Sequence, residues 1–94
     1  MYLHYQKVDC TVAVQDDSAF TIPGEATHVE LQAQDNADVN YTMDNVTDPG
    51  ASRGMILRST DPPKLFSIAD FLRIRFCAEA GTSSLHAHFI GRQT

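Results

Sequence analysis

Leu72-Arg73-Ile74-Arg75-Phe76-Cys77-Ala78 repeats with a period of two, large apolar residues alternating with basic ones as far as Phe76. Successive side chains of a β-strand point to opposite faces. This stretch therefore predicts a strand with Leu72, Ile74 and Phe76 inward and Arg73, Arg75 and Cys77 outward. The same period extends in both directions. Downstream, Ala80-Gly81-Thr82-Ser83 turns the chain and 85–90 alternates again. Upstream, Leu65-Phe66-Ser67-Ile68 leads into Ala69-Asp70-Phe71, short enough for a single helical turn, and Asp61-Pro62-Pro63 is a rigid extended break. Further strands are predicted at 8–14, 20–22, 28–33, 39–43 and 54–58. Between them lie Gln15-Asp16-Asp17-Ser18, the turn dipeptide Pro23-Gly24, the break at 34–38 and a long polar loop over 44–53.

About eight short strands at intervals of roughly 8–12 residues predict an all-β fold. The expected form is a small antiparallel β-sandwich or jelly-roll-like barrel. No window of 12 or more residues has helical periodicity, which argues against a βαβ architecture. The expected core is Val12, Val29, Leu31, Tyr41, Leu57, Ile74, Phe76, Leu85 and Phe89. Residues 1–94 read as one β-sandwich domain, with 1–7 as an N-terminal arm and 91–94 as a frayed tail. A chain this short buries only about 60–65% of its unfolded surface, so association with further copies or a larger surface would add needed burial.

Seven Lys and Arg against twelve Asp and Glu give a formal charge of −5. That balance argues against nucleic acid and anionic membranes as partners, both of which need clustered bases. Arg73 and Arg75 alone form no basic groove. No signal peptide is read at the N-terminus and no apolar run has the length of a membrane helix. Without a secretory signal, the sequons at Asn40 and Asn45 carry no meaning. Cys10 shares a face with Val8, Val12 and Val14, whereas Cys77 shares one with Arg73 and Arg75, so the two are expected to be unbonded.

Signatures of chemistry are scarce. Gly50 and Gly54 are spaced like part of a phosphate loop, but no lysine or helix follows, so a turn is the plainer reading. Asp35, Asp38, Asp44 and Asp48 would supply oxygen to a calcium ion, or simply favour turns. No nucleophile elbow and no cofactor motif is present, and the chain is expected not to be an enzyme. His86-Ala87-His88 places two imidazoles on one outward strand face. They would serve a metal completed by symmetry mates, a pH-sensitive interface, or merely a polar surface.

One resemblance emerges from these segments. It is carried by Ile22-Pro23-Gly24-Glu25-Ala26-Thr27-His28, Leu31-Gln32-Ala33, Val39-Asn40-Tyr41-Thr42, Pro49-Gly50-Ala51-Ser52-Arg53-Gly54 and Leu57, then Leu72-Arg73-Ile74-Arg75-Phe76, Ala80-Gly81-Thr82 and Leu85-His86-Ala87-His88-Phe89. From about residue 20 onward the chain resembles small structural proteins of tailed bacteriophages. Where that family's loop usually runs Asp-Gly-Thr-x-Pro-Thr, this chain has Asp44-Asn45-Val46-Thr47-Asp48-Pro49-Gly50. The resemblance implies a non-catalytic virion protein, made in the host cytoplasm. It would decorate and cement the capsid as a homo-oligomer, a trimer above all, against the major capsid protein. The alternative expectation is a receptor- or glycan-binding module at a tail tip or fibre, with an exposed aromatic platform or calcium loop near Tyr41 or in 44–53. The absence of tryptophan and the presence of only three tyrosines weigh against that alternative.

Overall fold

The computed structural model describes residues 2–34, 38–50 and 53–91. Among these, eight strands follow one another: β1 (Tyr2–Cys10), β2 (Gln15–Asp16), β3 (Ala26–Gln34), β4 (Val39–Thr42), β5 (Met55–Leu57), β6 (Lys64–Ser67), β7 (Arg75–Ala78) and β8 (Ser83–Gly91). A 3-10 turn (Asp17–Ala19) follows β2, and one helical turn, α1 (Ile68–Phe71), follows β6. Ser67 caps α1 by accepting from the Asp70 N–H at 3.2 Å.

The strands pair as a nested set: β4 with β5, β3 with β6, β2 with β7 and β1 with β8, all antiparallel. Successive rungs of this long hairpin alternate between two sheets, ordered β1-β8-β3-β6 and β2-β7-β4-β5. That is the strand order of a jelly roll, and it fulfils the all-β sandwich expected from the alternation.

Both sheets turn their apolar faces inward. Val29, Leu31 and Ala33 from β3 and Leu85, Ala87 and Phe89 from β8 meet Val39 and Tyr41 from β4 and Phe76 and Ala78 from β7. Phe20 and Phe71 complete the centre, Phe71 lying edge-on to Phe20 at 5.3 Å and to Phe89 at 5.7 Å. Every residue of the expected core is buried except Val12, which is 64% exposed. The cause is a boundary error: β1 ends at Cys10, and Val12 and Val14 lie in the crossing between sheets.

Several other expectations need correction. Residues 2–7 are not an arm; they form most of β1, an edge strand in register with β8. Residues 92–94 of the expected tail lie outside the described residues. Residues 20–22 form no strand. Instead the Gln6 carboxamide accepts from the Thr21 N–H at 2.8 Å and donates to the Thr21 carbonyl, a side-chain substitute for a ladder rung. Leu72 is the C-terminal cap of α1 and is exposed, so β7 begins only at Arg75.

Both cysteines are buried and free. Cys10 lies in the core, whereas Cys77 lies on the other face of its sheet, beneath Pro49, whose carbonyl its thiol approaches at 3.6 Å. The opposite facing is as expected, but Cys77 is covered, not outward to solvent. Burial pushes the Cys10 thiol up to about 11, and burial followed by the charge of Asp48 raises Cys77. Both thiols should therefore resist alkylation at neutral pH in the folded protein. Both should take label in denaturant without reductant; a mass showing no label would establish a disulfide instead.

Candidate functional site

Two surfaces bring polar side chains together. The first is the outer face of the β2-β7-β4-β5 sheet, over which residues 44–50 fold back. Asp44 starts the loop, its carboxylate accepting from the Val46 N–H at 3.0 Å, the Thr47 N–H at 2.8 Å and the Thr47 hydroxyl at 2.7 Å. Asn45 takes a left-handed φ of 59°, which asparagine tolerates better than most residues. The Arg75 guanidinium clamps the loop, donating to the Val46 carbonyl at 3.2 Å, the Asn45 carbonyl at 3.2 Å and the Asp48 carboxylate at 2.7 Å. Asn40, buried beneath, donates to the Gly50 carbonyl at 2.6 Å. Arg75, read as a solvated base on a strand face, is thus the anchor of this loop.

The three hydrogen bonds from Thr47 and Val46 lower the pKa of Asp44 to about 2. This lies below the ordinary unfolded value of about 3.9. The stabilisation is therefore complete above about pH 4 and is lost as the pH falls through about 2. Thermal melts between those values should show wild type losing more stability than Asp44→Asn. Parallel losses would show that Asp44 does not anchor the loop.

The carboxylates weighed for calcium are engaged elsewhere. Asp38 accepts from the Ser59 N–H at 3.1 Å, Asp44 caps its own loop and Asp48 pairs with Arg75. Asp35 lies outside the described residues. Tyr41, near which the glycan-binding alternative places an aromatic platform or calcium loop, is itself in the core, edge-on to Phe66 at 5.7 Å. Among the described residues no group of three or more His, Cys, Asp and Glu is placed to hold a metal ion, and no helix is long and apolar enough to cross a membrane.

The second surface is the outer face of the β1-β8-β3-β6 sheet. Register sets its rows: Tyr5 lies across from His88, which lies across from Glu30 and then Leu65; Lys7 lies across from His86 and then Gln32. His86 and His88 point outward, as the alternation predicts. Tyr2 and Tyr5 are three apart and would face opposite ways in a regular strand. A register shift between Tyr2 and His4 inserts Leu3 as an extra residue and brings both rings to the outer face.

These rings are not independent. Tyr2 stacks on His88 at 4.1 Å and its hydroxyl donates to Glu30 at 2.6 Å, a bond that raises the phenol's pKa. Tyr5 stands edge-on to His88 at 6.1 Å, and its hydroxyl hydrogen-bonds His86 Nδ1. His86 Nε2 meets the Ser84 hydroxyl at 3.0 Å. Both ring nitrogens of His86 therefore have protein partners, which leaves its lone pair poorly placed for the metal weighed from sequence. Beside these rings lies a groove of about 250 Å³, which Pro63 bounds together with Glu30, Gln32 and Gln34. The alternation marks the two histidines, and Tyr5 shares their outward parity with Lys7; Tyr2 reaches the surface only through a bulge that no local pattern marks.

Comparison with protein families, with curated proteins and with solved structures finds no match to this chain.

Proposed function

We propose that the chain is a non-catalytic structural subunit of a tailed-bacteriophage particle. In that role it decorates the outer capsid, bound to the major capsid protein as a symmetric trimer. What supports the reading is where the residues that carry the likeness fall. Asn40, Pro49, Gly50, Gly54 and Arg75 together hold the 44–50 loop against the second sheet. These positions therefore build a framework and name no reaction. The sandwich interior is filled from both sheets. An acidic subunit also avoids the packaged DNA. The fold alone carries none of this, because jelly rolls host unrelated functions.

Co-sedimentation tests the reading. Purified protein mixed with heads assembled without it should pellet with them at a saturating, symmetric stoichiometry. Light scattering at micromolar concentration should report a trimer. Saturable binding to heads supports the proposal, and protein left wholly in the supernatant contradicts it.

A further inference from the structure

We propose that the outer face of the β1-β8-β3-β6 sheet binds a neutral saccharide, with Tyr5 as the stacking platform. The inference is independent of capsid attachment, since it concerns a different surface property of the same chain. A pyranose ring presents an apolar C–H face and a rim of hydroxyls that both donate and accept. Its site needs a flat, exposed ring flanked by planar polar groups fixed in place.

The groove supplies these parts. Tyr5 is 52% exposed, yet it is held by His86 at its hydroxyl and by the edge contact with His88, so stacking on it costs little further ordering. Glu30 offers a carboxylate already oriented by Tyr2. Gln32 and Gln34 share the same face of β3, linked at 3.3 Å through one donor and one acceptor, which leaves the remaining capacity of both carboxamides for a ligand. Outward donors and acceptors thus surround an aromatic ring on rigid strands, an arrangement favourable to recognition. The groove's volume of about 250 Å³ suits a single ring with the rest of the ligand outside. Glu30 in the groove and the net charge of −5 disfavour anionic sugars.

The test is an amide-shift titration of the labelled protein with methyl glucoside, methyl mannoside, methyl galactoside and N-acetylglucosamine, and with glucuronate as the anionic contrast. At least one neutral probe should give saturable shifts confined to β1, β3 and β8, with Kd on the order of 0.1–10 mM, as one-ring contacts allow. Glucuronate should bind more weakly. Tyr5→Ala should weaken binding at least about tenfold, while Tyr5→Phe, which keeps the platform, should retain most of it. Gln32→Ala gives a second readout away from the edge strand and should also weaken binding. Absence of saturable shifts on this face with every neutral probe, or unchanged affinity in both Tyr5→Ala and Gln32→Ala, overturns the proposal. Shifts produced instead by capsid protein alone assign the face to a protein partner and also overturn it.

Discussion

Replacing Phe76 with alanine should lower the free energy of unfolding by about 3–5 kcal/mol. Phe76 is fully buried on β7, in register with Gln15 on one side and Tyr41 on the other, and its ring lies 5.8 Å from that of Phe20. Strand ladders on both sides fix the backbone, so the void left by the ring collapses poorly. Domains are typically stable by only about 5–15 kcal/mol, so the variant should be marginal. Val12→Ala is the matched contrast. Alternation alone puts Val12 in the core, but it is exposed, and its truncation should change stability by less than about 0.5 kcal/mol. Urea unfolding of both variants decides the matter. Equal losses would mean that the sandwich is packed differently.

Gly54→Ala should also be strongly damaging, costing at least about 2 kcal/mol. Gly54 has φ of 100°, and an added Cβ would stand 2.8 Å from the Tyr41 carbonyl oxygen and 3.2 Å from Thr42 Cγ2. Tyr41 is in register with both Met55 and Phe76, so its backbone has little room to retreat. Gly50→Ala provides the control: nothing lies within 4 Å of its Cβ position, and its conformation is one that other residues adopt. A neutral Gly54→Ala would refute the close approach of residue 54 to the β4 backbone.

The strands that the alternation marks well are those whose period is unbroken. In β3 and β8 the inward residues Val29, Leu31, Leu85 and Phe89 all lie in the core. Phe66, half-buried, packs against it from β6. Failures occur where tertiary structure overrides local parity. The bulge at Leu3 reverses the facing of Tyr2 relative to Tyr5, and a second shift between Ala26 and His28 does the same in β3. The edge strand β1 is polar enough to read as an arm, because its partner β8 lies some eighty residues away in sequence and leaves no local trace. Cys77 reads as outward because the loop that covers it is polar and its closure depends on three contacts from Arg75. The candidate site was half legible for the same reason. Its histidines and the parity of Tyr5 follow from period two, and Tyr2 does not.

The proposed place of this chain is the outside of a phage head, as a structural subunit. The most direct measurement is an electron-microscopy reconstruction of the particle encoded with it, paired with mass spectrometry of the purified virion. This polypeptide should be present in the particle, with two-sheet sandwich density at symmetry-related positions on the outer capsid surface. Its absence from purified particles, or its density only at the tail, would contradict the proposed role on the capsid.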